Sequence, residues 1–184
     1  MKIKQDYDKF AENYDNSYST DYHLIENEII MNIIKPYSQD KNILTYDIGC
    51  GTGLLLDYID INENNYLGID PSKKMINVFS KKHPTKNTLI TTLENSNFIP
   101  DNNTFLVSLF GSISYVDPEF FSNFIKKYQN NYYFFMFYTK GYVPHLYSDL
   151  QDIKQSSLED FGISEKDTMI FNNYIIYTNL KGKK

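Results

Sequence analysis

Residues 43–53, with the sequence ILTYDIGCGTG, decide the fold of this 184-residue chain. A β-prone run meets three glycines at alternate positions, Gly49, Gly51 and Gly53, and a helical pattern follows at residues 54–59. Glycine lets a backbone turn sharply and approach a ligand closely, because it has no Cβ atom to collide. The stretch predicts a strand, a tight turn and a helix. Taken alone, the turn is as consistent with a purely structural role as with ligand binding.

The same unit recurs along the chain, since strand-like runs alternate with amphipathic helical patterns. Residues 132–138 are so uniformly apolar that they predict a central strand buried on both faces. Asn172 and Asn173, which tolerate positive φ, predict the turn of a C-terminal hairpin. The other predicted strands are residues 66–69, 88–93, 104–110, 168–171 and 174–179. Helical patterns are predicted within residues 1–35, where Pro36 ends the pattern, and in the stretch that begins after Ser72. Two further helices are predicted at 118–128 and 145–161.

This alternation predicts an α/β fold with one doubly wound, mainly parallel sheet, whose ligands bind at the carboxyl ends of the strands. We expect the hairpin to place one antiparallel strand at the sheet edge. The sequence contains no internal repeat and no linker-like stretch, which predicts a single domain over residues 1–184. Its predicted parts are an N-terminal helical cap at 1–35, a cofactor-binding core at 42–138, and a C-terminal helix and hairpin at 139–184.

Composition narrows the classes of function. Apolar residues make up 41% of the chain and aromatic residues 16%, which excludes an intrinsically disordered chain. The net charge of −5 and the absence of arginine disfavour a nucleic acid partner. The N-terminus lacks an apolar signal region and no run is long enough to span a membrane, so neither export nor membrane insertion is expected. The single cysteine, Cys50, suits a reducing compartment, so we expect a cytoplasmic protein.

Two acidic residues flank the glycine turn. Asp70 follows Gly51 by 19 residues at the end of the next strand, where a carboxylate either accepts both ribose hydroxyls or caps a helix. Asp47 precedes the glycines. Its negative charge would repel a pyrophosphate bound at this turn but would attract an ammonium group. The dinucleotide fingerprint starting at Gly49 requires glycine at position 54, where this chain has Leu54. The residues therefore favour a cationic amino-acid ligand, with a nicotinamide-dependent oxidoreductase as an alternative.

Several stretches resemble the class I S-adenosylmethionine-dependent methyltransferases. They are YDIGCGTGLLL at 46–56, LGIDPSKKM at 67–75, PDNNTFLVSLFGSISYV at 100–116 and YDKFAENYDNSY at 7–18. The resemblance covers roughly residues 5–138 and implies a Rossmann-like methyltransferase fold with an N-terminal helical lid. It also implies S-adenosylmethionine as cofactor and methyl transfer to a small-molecule acceptor, largely by proximity and orientation. A non-catalytic S-adenosylmethionine-binding or activator subunit is the alternative.

The resemblance also implies roles for particular residues. Asp47 and the glycine loop would surround the methionine part of the cofactor, and Asp70 would bind the ribose. Met75 would pack on adenine, or else serve as an ordinary core methionine. The residues implied to bind the cofactor are Tyr14, Asp47, Gly49, Cys50, Gly51, Gly53, Asp70, Pro71, Met75, Leu93, Glu94, Phe110, Gly111 and Ser112. Tyr7 and Phe10 are interpreted as the buried stripe of a helix.

No catalytic residue is assigned. Cys50 fills a spacer position of the glycine loop without a partner histidine motif, so it is not predicted to be a nucleophile. The three histidines lack metal-ligand spacing, and no metal is expected. Tyr115 and His145 are the candidate bases if the acceptor must lose a proton. The short insertion at residues 139–160 favours a small acceptor.

Overall fold

The computed structural model describes residues 7–139 and 158–180. Within them, seven strands form one sheet in the order β3-β2-β1-β4-β5-β7-β6. The strands are β1 (Leu44–Ile48), β2 (Tyr66–Asp70), β3 (Asn87–Ile90), β4 (Thr104–Ser108), β5 (Tyr132–Tyr138), β6 (Thr168–Phe171) and β7 (Tyr174–Thr178). The pairs among β1 to β5 are all parallel, which confirms the predicted doubly wound α/β fold.

The main α-helices are α1 (Asp21–Ser38), α2 (Leu54–Tyr58), α3 (Lys73–Lys82) and α4 (Pro118–Lys127). Side chains cap three of their N-termini: Thr20 accepts from the His23 N–H, Ser72 from the Met75 N–H, and Asp117 from the Phe120 N–H. These bonds satisfy donors that a helix start leaves unpaired. Residues 7–10 are also helical, and 3-10 turns follow at Ala11–Asn13 and Asp15–Tyr18. No helix of the described ranges is long and apolar enough to cross a membrane.

Two hydrophobic cores lie on opposite faces of the sheet. Phe134 belongs to the same core as Ile34 of α1 and Phe79 of α3, whereas its neighbour Phe135 contacts Phe121 of α4 in the other core, with ring centroids 5.2 Å apart. Successive side chains of a strand point to opposite faces, so the apolar run of β5 feeds both cores. All five side chains are fully buried, and this burial stabilises the sheet that carries the site.

The C-terminal hairpin corrects one expectation. Its antiparallel strand β7 does not form the edge but lies between β5 and β6, so β6 is the edge strand. Burial agrees with this order: Tyr174 and Ile176 of β7 are 4% and 2% exposed, whereas Met169 and Ile170 of the edge strand β6 are 52% and 79% exposed. The turn is as predicted, with Asn172 at φ +55°.

The helix α1 passes through Pro36 and ends at Ser38, so the expected end of the helix at Pro36 is wrong. Proline removes one helix hydrogen bond, and here the loss falls in the last turn. Tyr37, the next residue, packs against Phe105 and Tyr132 with ring centroids 5.9 and 4.9 Å apart. These tertiary contacts hold the last turn in place.

Two strands are shorter than predicted. The run at 88–93 leaves the sheet after Ile90, because its only neighbour, β2, ends at the paired residue Asp70. The run at 104–110 ends at Ser108, and the chain turns at Phe110 with φ +53°. The predicted helix at 145–161 lies mostly outside the described residues, and residues 158–161 form a turn rather than a helix.

Candidate functional site

The glycine loop between β1 and α2 has the left-handed backbone that its sequence predicts. Gly49, Gly51 and Gly53 have φ values of +75°, +54° and +91°. A Cβ atom on Gly49 would lie 2.4 Å from Cβ of Ser112, whereas one on Gly51 would meet nothing within 4 Å. The loop therefore packs tightly at Gly49 and presents bare backbone to open space at Gly51, where a ligand can approach.

Asp70, at the end of β2, ties the next strand to this loop. Its carboxylate accepts from the Gly51 N–H at 3.1 Å and from the Ser72 N–H at 2.7 Å. Burial raises the pKa of Asp70 to about 6, although both backbone donors act in the opposite direction. The two interpretations of Asp70 from the sequence are compatible, because the same carboxylate braces the start of α3 and lines a cleft.

Asp47, on β1, is 3% exposed and receives a hydrogen bond from the Tyr66 hydroxyl at 2.8 Å. Burial raises the pKa of Asp47 to about 7. Gly68 leaves room for this arrangement, since a Cβ there would lie 2.8 Å from Sγ of Cys50 and 2.9 Å from the Tyr66 hydroxyl. Burial also raises the pKa of the Cys50 thiol, which disfavours the reactive thiolate.

Two adjoining pockets surround the glycine loop. The main cleft, of about 730 Å³ and partly open to solvent, lies between the carboxyl ends of β1, β2 and β3. The side pocket, of about 320 Å³, lies on the Asp47 side of the loop. Tyr14, Gly49, Gly51 and Ser112 line both pockets, so these residues mark the junction between them.

The structure brings most of the predicted cofactor-binding residues together. The main cleft is lined by Tyr14, Gly49, Gly51, Asp70, Pro71, Met75, Leu93, Glu94 and Ser112. The side pocket adds Asp47, Cys50 and Phe110. Gly53 and Gly111 line neither pocket: a Cβ on Gly53 would meet the His83 ring at 2.6 Å, and one on Gly111 would meet the Tyr138 ring at 2.3 Å. Those two glycines make room for neighbouring side chains.

Met75, Leu93 and Glu94 form the far wall of the main cleft. Met75 is 1% exposed and Leu93 is 5% exposed, so each is both a core residue and part of the wall. Glu94 is half-buried, and its Oε1 accepts from the Asp117 N–H at 3.0 Å. That bond anchors Glu94 beside the start of α4 and holds its carboxylate at the cleft.

Sequence reasoning missed several lining residues of the two pockets. They are Tyr7, Ile48, Ile69, Ser72, Thr91, Thr92 and Val116 in the main cleft, and Thr52, Leu54, Leu55 and Leu109 in the side pocket. Thr91 and Leu109 directly follow a strand, and Ile48 and Ile69 lie in the last two residues of one; a position at the carboxyl end of a parallel strand is the signal that reveals these four. The interpretation of Tyr7 as a buried stripe residue is wrong, since it is half-buried and lines the cleft. Tyr115 also lines the cleft, whereas His145 lies outside the described residues.

Residues 7–18, here called the lid, contact both sides of the site. Asp8 accepts from the Ser72 hydroxyl at 2.6 Å and from the Lys74 N–H at 3.3 Å. Asp15 accepts from the Thr52 hydroxyl at 2.5 Å and pairs with Lys82 Nζ at 2.8 Å. One carboxylate thus joins the lid to α3 and the other joins it to the glycine loop.

The chain is similar to a known protein family and to a curated relative. Residues 46–130 match the model of the family described as "Methyltransferase domain". An uncharacterized protein of Methanocaldococcus jannaschii is 34% identical over 119 residues, which make up 62% of this chain and 42% of that protein. The chain therefore spans less than half the length of this relative.

Two solved structures share the fold. An S-adenosylmethionine-dependent methyltransferase from Clostridium acetobutylicum superposes with a TM-score of 0.53 at 19% identity, over 72% of this chain and 58% of the other. The plantazolicin methyltransferase BpumL, in complex with a triazolic desmethylPZN analog and SAH, gives a TM-score of 0.53 at 19% identity, over 71% and 52%. At these identities the likeness shows the fold alone, a Rossmann-like methyltransferase fold.

Proposed function

We propose that the protein transfers the methyl group of S-adenosylmethionine to a small-molecule acceptor, on the premise that residues 46–130 match the family described as "Methyltransferase domain". The observation that carries this proposal is the placement of two carboxylates on either side of one glycine loop. Asp70 lines the main cleft and Asp47 lines the side pocket, with the open space above Gly51 beside their junction. A ligand with a diol at one end and an ammonium group at the other matches this spacing of charge.

The residues fit the parts of the cofactor. S-adenosylmethionine supplies an electrophilic methyl group on a sulfonium, joined to an amino-acid tail and an adenosine. Asp70 gives two of its carboxylate sites to the Gly51 and Ser72 N–H groups, and the remaining lone pairs can accept the two ribose hydroxyls. Asp47, buried and held by Tyr66, would pair with the ammonium group of the tail.

The far wall of the main cleft suits the adenine. Met75 and Leu93 present apolar surface to a flat ring, and sulfur contacts with aromatic rings are favourable. Glu94 engages Oε1 with the Asp117 N–H, which leaves Oε2 to accept from an exocyclic amino group. These assignments place the adenosine in the main cleft and the methionine tail in the side pocket.

The chain's contribution to methyl transfer would be mainly positional. A sulfonium is already a good leaving group, so holding the acceptor in line with the methyl group supplies much of the acceleration. The lid closes over the cleft and limits the space for an acceptor, which supports a small molecule. The single buried cysteine supports a reducing, cytoplasmic setting.

The strand order speaks against the nicotinamide alternative. Dinucleotide-binding folds use the order 3-2-1-4-5-6, whereas here the antiparallel β7 lies between β5 and β6. Asp47 would also face a pyrophosphate at the glycine loop, where its carboxylate is repulsive. Both observations support an adenosyl cofactor that carries a positive charge.

Isothermal titration calorimetry of S-adenosylhomocysteine against NAD tests the cofactor. We expect S-adenosylhomocysteine to bind and NAD to fail to displace it. Incubation with methyl-labelled S-adenosylmethionine and a metabolite extract then tests the transfer. Preference for NAD would overturn the cofactor assignment, and binding of S-adenosylmethionine without label in any acceptor would overturn the catalytic role in favour of a binding subunit.

A further inference from the structure

A belt of aromatic side chains borders the junction of the two pockets, and it begins in the lid. The ring of Tyr7 lies 6.3 Å from that of Tyr14, and Tyr14 lies 5.2 Å from Tyr18. Tyr18 in turn contacts Phe110, after β4, at 5.1 Å. Half of the belt thus connects the lid with the loop that follows β4.

The second half of the belt contains residues of strands β5 and β7. Phe110 contacts Tyr174 of β7 at 6.3 Å, and Tyr174 stacks with Tyr138 of β5 at 5.7 Å. Tyr138 lies 6.2 Å from Tyr115, which lies 6.1 Å from the Tyr7 ring. These contacts close the belt, which consists of six tyrosines and one phenylalanine from four separate parts of the chain.

The belt meets both pockets. Tyr7, Tyr14 and Tyr115 line the main cleft, and Phe110 and Tyr14 line the side pocket. If the adenosine lies beside Asp70 and the methionine tail beside Asp47, as proposed above, the sulfur lies between them. The belt then borders the space that an acceptor must occupy to reach the methyl group.

Aromatic side chains recognise cations, because the faces of their rings are electronegative. The hydroxyls of Tyr7 and Tyr115 lie 3.5 Å apart at the cleft, and burial raises the pKa of Tyr115, which keeps this phenol neutral. His23 contacts Tyr18 at 5.5 Å, but it lines neither pocket and its Nδ1 is hydrogen-bonded to Thr20. The belt residues that line the pockets therefore present aromatic surface to a ligand, while the hydroxyls of Tyr14 and Tyr18 bond to each other at 3.2 Å.

We propose that the methyl acceptor is an amine, an inference that rests on the proposed function. The bound ammonium form of the acceptor first gives a proton to water. The nitrogen lone pair of the resulting neutral amine attacks the methyl carbon, a C–N bond forms, and the C–S bond breaks with its electron pair left on sulfur. The positive charge passes from sulfur to nitrogen within the belt, and the product ammonium then loses its proton to water. An acidic hydroxyl acceptor would instead discharge the sulfonium and lose the attraction of the ring faces.

A matched pair of probes tests the recognition of a cation. With S-adenosylhomocysteine bound, so that the sulfur is neutral, calorimetry compares choline with its carbon isostere 3,3-dimethyl-1-butanol. We expect choline to bind at least about tenfold more tightly. The preference should fall severalfold in Tyr115→Leu, survive in Tyr115→Phe, which keeps the ring, and be unchanged in Tyr132→Leu, a change at the exposed opposite end of β5.

A second assay compares benzylamine with benzyl alcohol as acceptors of labelled methyl. We expect transfer to the amine to exceed transfer to the alcohol. Equal binding of choline and its isostere, or preferred methylation of the alcohol, would overturn the amine inference while normal binding of S-adenosylhomocysteine leaves the proposed function intact. Failure of S-adenosylhomocysteine itself to bind would instead overturn the proposed function.

Discussion

The glycine loop at residues 49–53 and the lid at residues 7–18 face the same cleft but are held there by different means. The loop is fixed through its own backbone: the Gly49 and Cys50 N–H groups bond to the Ile69 carbonyl, and the Gly51 N–H bonds to the Asp70 carboxylate. The lid is fixed through its side chains, which are the carboxylates of Asp8 and Asp15 and the rings of Tyr7 and Tyr18 against Tyr115 and Phe110. The loop, here called the floor, is as rigid as the sheet that carries it, whereas a cover held by side-chain contacts can open without unfolding the core.

The largest expected loss of ligand affinity comes from filling the open space above the glycine loop. Gly51→Val places a branched side chain in the open space above the loop and at φ +54°, where valine is strained. We expect the affinity for S-adenosylhomocysteine to fall by at least about 100-fold, on the order of 3 kcal/mol, as measured by calorimetry. Gly162→Val is the matched control, because Gly162 also has positive φ but lies away from both pockets. Equal loss of affinity in both variants would show that strain, not ligand space, is responsible.

The next largest effect distinguishes the two roles of Asp70, which are ligand binding and support of the glycine loop. Asp70→Ala removes the proposed ribose acceptor together with the bonds to Gly51 and Ser72. We expect S-adenosylhomocysteine to bind about 1–3 kcal/mol more weakly. Asp101→Ala removes a comparable carboxylate, which accepts from the Asn103 N–H and the Thr104 hydroxyl away from both pockets, and should lower thermal stability without changing affinity. Unchanged affinity in a folded Asp70→Ala protein would refute the ribose role.

The buried carboxylate of Asp47 should give stability and affinity opposite dependences on pH. Its pKa is raised from 3.8 to about 7 by burial, so the folded state holds the proton more tightly than the unfolded chain. The free energy of unfolding should therefore fall as the pH rises from about 4 through about 7. Affinity for S-adenosylhomocysteine should rise over the same range, by at most about tenfold per pH unit, because ammonium pairing needs the carboxylate.

Urea unfolding and calorimetry between pH 5 and 8 measure these two slopes. Asp47→Asn keeps a hydrogen-bonding partner for Tyr66 and removes the titration, so both slopes should shrink. In the remaining stability slope, the raised pKa of Asp70, about 6, acts with the same sign and the lowered pKa of His83 acts with the opposite sign. Parallel slopes, with affinity and stability changing in the same direction, would contradict the pairing of Asp47 with an ammonium group.

The floor was largely predictable from the sequence because its signals are local. Strand β5 matches its prediction at both ends, since only an apolar strand buried on both faces fits YYFFMFY. Asp47, Gly51 and Asp70 are likewise defined by their distance from a strand end. The position of β7 was not predictable, because a hairpin fixes the pairing of its own strands but not which of them meets β5.

The lid was less predictable because its contacts are distant in sequence. Asp8 and Ser72 are 64 residues apart, and no local pattern distinguishes Asp8 from any exposed acidic residue. Tyr7 fits the spacing of a buried helical stripe, yet the chain changes to 3-10 turns after residue 10 and presents Tyr7 to the cleft. Helical periodicity therefore gave the wrong environment for Tyr7, because the α-helical spacing ends at residue 10.

The smallest expected effect concerns the lid itself. Asp15→Ala removes the bonds to Thr52 and Lys82, and because the Asp15 side chain is 37% exposed, solvent screens much of the pairing. We expect the dissociation rate of S-adenosylhomocysteine, measured by surface plasmon resonance, to rise only about 3- to 10-fold, with little change in thermal stability. Glu12→Ala, which removes an exposed pairing with Lys81 at 3.8 Å, should leave the rate unchanged. If both variants release the ligand at the wild-type rate, the lid does not retain it; if Asp15→Ala unfolds the core, lid and floor are one cooperative unit rather than two.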